Sequence, residues 1–153
     1  DTYCNQHESA HLTDDQIRAG WVFLTARQNG TPLFFSRPMN STRQNYWGDN
    51  RAGARGNDQF MHPEVVAVNQ FRHAMSGQPE QLISSPDGAV MEVARGNRGA
   101  VLINVTDRQQ TADMPTPLPD GTYTDSVSGS QFQVSGGMVK GSLAPLTSYI
   151  LYR

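Results

Sequence analysis

The chain has 153 residues, 37% of them hydrophobic, which is enough for one medium domain or two small ones. Twelve basic residues against 14 acidic ones leave a net charge of −2, which excludes a nucleic-acid footprint and a polybasic membrane patch. The single cysteine, Cys4, excludes an internal disulfide, and the apolar runs are far shorter than the ~18 residues of a membrane span.

Residues 7 to 11 read His7-Glu8-Ser9-Ala10-His11, the H-E-x-x-H pattern of zinc proteases. That chemistry needs both imidazoles on one helix face. Here the strong helix start comes after the motif, and the approach to it is polar and lacks apolar periodicity. The other histidines, His62 and His73, sit in no ligand-like motif. His7 and His11 therefore read as loop residues ahead of a helix, and the sequence offers no metal or cofactor site.

The helix start is Thr13-Asp14-Asp15-Gln16, a T-x-x-Q capping box with two acids at the positive end of the helix dipole. Ile17, Trp21 and Leu24 follow as one apolar stripe, widened by Val22 and Phe23, and Asn29-Gly30 supplies a left-handed stop. Thr31-Pro32-Leu33-Phe34-Phe35-Ser36 is apolar on successive residues, the pattern of a strand covered on both faces in a parallel sheet. Arg37-Pro38 ends it. A loop rich in Gly, Asn and Arg runs from about Met39 to Phe60, with Arg43, Arg51 and Arg55 as surface charges. A second helix opens at His62-Pro63-Glu64, proline in the first turn, with Val65, Val68, Phe71 and Met75 as its buried stripe. Helix, buried strand, helix is a piece of alternating α/β architecture.

After Pro79 the period changes to two. Strands are predicted at 90–94, 100–105, 122–127, 131–134, 138–143 and 148–152. Between the first two lies the turn Arg95-Gly96-Asn97-Arg98-Gly99, where Arg95 and Arg98 read as turn-edge charges. Six short strands at regular spacing argue an antiparallel Greek-key sandwich. The fold class is thus α+β: residues 1–78 helical with one buried strand, residues 79–153 an antiparallel β-domain.

Several stretches carry a family resemblance. Asp1-Thr2-Tyr3 and the run Leu12 to Trp21 resemble the region after the seventh barrel strand of bacterial α-amylases. Thr31 to Pro38 resembles their eighth barrel strand, and Val68 to Arg72 with Met75 to Pro79 their eighth helix and its exit. Arg95 to Gly99, Leu118 to Tyr123 and Tyr149 to Tyr152 resemble the β-domain that follows. The similarity runs the length of the chain in one order.

The resemblance implies that residues 1–78 are the seventh helix, eighth strand and eighth helix of a (β/α)8 barrel. It implies an activity, retaining hydrolysis of α-1,4-glucosidic bonds in starch or maltooligosaccharides, and no cofactor. That reaction takes a carboxylate nucleophile and a carboxylic acid about 5 Å apart. The resemblance places both ahead of residue 1, and matches Asp1 to the family's third carboxylate, which favours the oxocarbenium-like transition state. Secretion is implied in the same way.

A second carboxylate near Asp1 would have to come from Glu8, Asp14, Asp15, Asp49 or Asp58, all of which read equally as caps or surface charges. Trp47, Tyr46 and Tyr123 offer rings for stacking on sugars, or core packing. A single barrel strand without its neighbours leaves Leu33 to Phe35 uncovered, so the chain is expected to form a homo-oligomer through that edge.

Overall fold

The computed structural model describes residues 11–34, 36–42 and 44–153. Helix α1 spans Asp14–Ala26 and α2 spans Pro63–Ala74, with a 3-10 turn at Gln59–Met61. Eight strands follow: β1 Glu80–Ser84, β2 Val90–Arg95, β3 Gly99–Asn104, β4 Gln110–Pro115, β5 Gly121–Thr124, β6 Gln131–Ser135, β7 Met138–Leu143 and β8 Ser148–Tyr152.

The capping box forms as its chemistry dictates. The Thr13 amide donates to Gln16 Oε1 at 2.8 Å, and the Gln16 amide donates to Thr13 Oγ1 at 3.2 Å. The stripe that α1 buries is not Ile17, Trp21 and Leu24. It is Arg18, Ala19, Val22, Thr25 and Ala26, while Leu24 is 58% exposed. Ala19, Val22 and Ala26 let α2 and the sheet approach α1 closely; Trp21 and Phe23 flank that core half-buried, and Leu24 is left on the opposite face. Helix α2 buries Val65, Val68, Phe71 and Met75, as its pattern requires.

Among the described residues of the predicted strand at 31–36, Thr31 to Phe34 and Ser36 are not in a strand. Beyond them Pro38 makes an antiparallel bridge to Gly56. A strand needs a ladder partner for its backbone groups, and among the described residues none runs beside Thr31 to Phe34. Leu33 is 84% exposed. Phe34 meets the Trp21 ring edge-on at 4.9 Å between centroids. Phe35 lies outside the described residues.

The strands make two four-stranded antiparallel sheets, in the orders β1-β2-β3-β8 and β4-β7-β6-β5. In the second, β5, β6 and β7 form a meander and β4 lies beside β7, a Greek key read in reverse. The sequence pattern missed β1 and β4. Strand β1 is a short edge strand, half-exposed along its length. In β4 the inward residues Ala112 and Met114 alternate with Thr111, Asp113 and Pro115, and the polar members hide the period.

Two cores result. One lies between the sheets and holds Leu102, Met114, Phe132, Val134, Leu143 and Leu151. The other lies between the helices and the first sheet and holds Val22, Val68, Phe71, Val93, Val101 and Ile150. The first sheet is therefore covered on both faces, and every residue of β3 is buried.

Buried polar groups join the layers. Arg95 is not a turn-edge charge. It is buried and donates to the carbonyls of Ala26 (3.1 Å), Met75 (3.0 Å) and Gln78 (3.0 and 3.1 Å), so it holds the C-terminal ends of both helices against the sheet. The Glu64 carboxylate accepts from Arg18 Nε at 3.2 Å and from the Ser148 amide at 3.0 Å, tying α2 to α1 and to β8. Arg72 donates to the carbonyls of Thr25, Arg27 and Gly30, closing the end of α1.

Candidate functional site

Asp1, the residue matched to a catalytic carboxylate, lies outside the described residues, as do His7 and Glu8. His11 is exposed, ahead of the α1 cap and not on a helix. Among the described residues no group of three or more His, Cys, Asp or Glu side chains is placed to hold a metal ion.

Of the other acids considered beside Asp1, each described one has its own partner. Asp14 pairs with Arg37 at 3.2 Å, Asp15 with Arg18 at 2.5 Å and Asp58 with Arg55. Asp49 accepts from the Asn40 side-chain amide at 2.8 Å. These are caps and loop braces.

What the fold does bring together is a junction around Arg37. This side chain is buried and donates to the Leu12 carbonyl at 2.9 Å as well as to Asp14. Its own carbonyl accepts from the Asn57 amide at 2.8 Å. Leu12 ahead of α1, the end of the 31–38 segment and the return of the long loop thus meet at one residue. A cleft of about 170 Å³ opens there, lined by Asp14, Arg37, Pro38, Met39, Asn40, Ser41 and Asn57. The long loop carries Trp47 into solvent, 47% exposed. Tyr123, by contrast, is a core residue. Its hydroxyl donates to the Pro119 carbonyl at 3.0 Å, and the Arg153 guanidinium lies 4.4 Å from its ring centre.

One titratable group escaped sequence reading. Glu92 lies in β2 and points into the core between the sheets, 1% exposed. Its Oε1 accepts from Thr116 Oγ1 at 2.8 Å, and its Oε2 has no hydrogen-bond partner. Burial raises this carboxyl to about 7, with the Thr116 hydrogen bond pulling weakly the other way. In Val90-Met91-Glu92-Val93 the glutamate reads as a solvent-facing position. Only the cover on both faces of β2 makes it internal. At the N-cap of α2, His62 accepts from the Glu64 amide at 3.3 Å; burial, and then Arg18, lower its pKa.

The fold is thus two helices laid on one face of a two-sheet antiparallel sandwich, the second sheet a Greek key. Residues 90–147 match the family described as bacterial alpha amylase C-terminal domain. The chain is 41% identical to an alpha-amylase of Butyrivibrio fibrisolvens over 152 residues, 94% of this chain and 16% of that protein. It is 36% identical to an alpha-amylase of Clostridium acetobutylicum over 143 residues, 90% of this chain and 17% of that protein. In fold it is similar to alpha-amylase I of Eisenia fetida, solved as a mutant in complex with maltohexaose (TM-score 0.61, 19% identity, 89% of this chain and 35% of that one). It is also similar to an Anoxybacillus alpha-amylase (TM-score 0.61, 14% identity, 90% and 32%). Along its length the chain is similar to the C-terminal region of alpha-amylases, and its residues 90–147 match their C-terminal domain. It spans about a sixth of the length of the curated relatives it matches.

Proposed function

We propose that these residues are the C-terminal part of a retaining glycosidase that cleaves α-1,4-glucosidic bonds in starch-like glucans. Residues 1–78 close its barrel, and Asp1 supplies the carboxylate that favours the oxocarbenium-like transition state. The nucleophile and the general acid come from barrel strands ahead of these residues. The observation that carries the reading is the 41% identity to an alpha-amylase across 94% of the chain. It is supported by the Arg37 junction, which gathers loops at the end of the barrel segment where (β/α)8 enzymes build their sites. Secretion is proposed with this reading, on the resemblance alone.

The test is Asp1→Asn in the complete enzyme. Release of reducing sugar from soluble starch falls by at least a hundredfold, roughly the scale of losing one transition-state stabiliser, and the melting temperature stays put. Unchanged turnover removes Asp1 from the mechanism.

For the 153 residues taken alone, a specific observation favours self-association. Leu24 and Leu33 are mostly exposed, and Trp21 and Phe34 are only half-buried. This apolar surface is left to solvent in the chain alone, and a second copy supplies a cover of the same character.

A further inference from the structure

We propose that Trp47 is a stacking platform for an α-1,4-glucan, a subsite on the loop that follows the 31–38 segment. This rests on the glycosidase reading above and adds the residue that grips the sugar.

An indole at 47% exposure on a surface loop is apolar area left in water. The loop that presents it is braced on both sides. Thr42 and Asn45 exchange backbone hydrogen bonds at 2.9 and 3.1 Å, and the Gly48 amide donates to Asn45 Oδ1 at 3.2 Å. The Asp49 amide donates to the Met39 carbonyl at 2.8 Å, and Asn40 Nδ2 to Asp49 Oδ2 at 2.8 Å. Gly48 has φ +50°, and a Cβ there would lie 2.3 Å from the Met39 carbonyl oxygen and 2.8 Å from the Ser41 amide nitrogen. The residue next to Trp47 therefore has to be glycine for the loop to close. A ring exposed on a fixed backbone loses little freedom when a flat ligand settles on it.

The chemistry of the loop fits a sugar. An indole offers an apolar face of the size of a pyranose, whose axial C–H groups stack on it. Asn40, Asn45 and Asp49 give the same loop exposed amide and carboxylate groups for hydroxyls. The placement fits as well. The loop leaves Pro38 and returns at Gly56 and Asn57, beside Arg37, whose side chain also holds the Leu12 carbonyl. The loop of Trp47 thus departs from and returns to the residue that also holds Leu12, ahead of α1.

The experiment uses the complete enzyme. Trp47→Ala raises KM for maltohexaose about five- to tenfold, the range of one aromatic contact, with kcat unchanged, and Trp47→Tyr restores KM to within about twofold. Without any substitution, maltohexaose protects Trp47 from oxidation by N-bromosuccinimide, read in the tryptic peptide Gln44–Arg51, which holds no other tryptophan. Equal oxidation with and without maltohexaose overturns the proposal. So does an unchanged KM in Trp47→Ala; if its melting temperature falls as well, the ring packs on the barrel instead. The two readings fail separately. Loss of activity in Asp1→Asn with an unprotected Trp47 sinks only the platform. Protection of Trp47 with unaltered activity in Asp1→Asn sinks only the role of Asp1.

Discussion

Glu92 sets how the stability of the β-domain depends on pH. Its carboxyl is held at about 7 in the folded chain against 4.5 in the ordinary state, by burial between two sheets. Between those two values the folded chain binds a proton that the unfolded chain has lost. Stability is therefore full below about pH 4.5, falls as pH rises toward 7, and stays reduced above it. The difference amounts to about 3 kcal/mol, at about 1.4 kcal/mol for each pKa unit. That is a large share of a domain's net stability.

The perturbation is Glu92→Gln. Glutamine keeps the size and the acceptor for Thr116 Oγ1 but cannot ionise. Its buried amide finds no better partners than Oε2 does now, a cost of about 1–3 kcal/mol. Near pH 5 the variant is therefore equal to or less stable than the parent. Near pH 8 it draws level or moves ahead by up to about 2 kcal/mol, the parent's 3 kcal/mol penalty less the cost of the amide. Urea denaturation of both chains, followed by circular dichroism at several pH values, measures this, and subtraction cancels His62 and the surface carboxylates. A stability difference that stays constant from about pH 5 to about pH 8 refutes the reasoning.

Three further outcomes follow from the packing. Arg95→Leu leaves three carbonyls at the helix ends without their donor and lowers unfolding free energy by about 3 kcal/mol or more, measured by the same denaturation; a loss under about 0.5 kcal/mol returns Arg95 to a surface role. Gly141→Ala destabilises by about 1–3 kcal/mol, because a Cβ there would lie 2.2 Å from the Phe132 ring; an unchanged melting temperature contradicts that contact. Leu33→Asp in the 153-residue chain shifts sedimentation velocity from larger species to monomer; a parent chain that is monomeric at every concentration removes the self-association proposed above.

The elements legible in the sequence are those whose signal is local. The Thr13–Gln16 box and the Val65-to-Met75 stripe act within a few residues, and both appear as read. The errors come from neighbours that sequence does not display. Ile17, Trp21 and Leu24 are the bulkiest stripe of α1, yet its partners approach over Ala19, Val22 and Ala26. Leu33-Phe34 has the composition of a buried strand but no ladder beside it among the described residues. Arg95 looks like a turn charge because its carbonyl acceptors lie as far as 69 residues away in sequence. Of the candidate site, Trp47 and the Arg37 segment were visible as residue types, but their convergence with Leu12 needed the fold.

The two faces of α1 explain why this stretch holds together while part of it stays uncovered. Its inner face meets α2 and the first sheet across small side chains, and three ionic or cationic ties close that contact: Glu64 with Arg18 and Arg95 on both helix ends, all buried, and the half-buried Arg72 on the carbonyls of Thr25 and Arg27. All of these partners lie within the 153 residues. The outer face has the opposite character. Ile17, Trp21, Leu24, Leu33 and Phe34 are apolar; Leu24 and Leu33 are mostly exposed, Trp21 meets Phe34 edge-on while it also packs against the helix–sheet core, and Phe34 meets Phe60. The indole Nε1 of Trp21 is buried there without an acceptor among the described residues. Residues that specify the joint to the β-domain thus lie among the described residues, whereas the outer apolar residues are the ones that the barrel proposed above covers. In the glycosidase proposed above, the helices belong to the barrel by topology but to the β-domain by packing. The outer stripe is then the seam where the remaining barrel closes, and an acceptor for Trp21 Nε1 is to be expected on its far side.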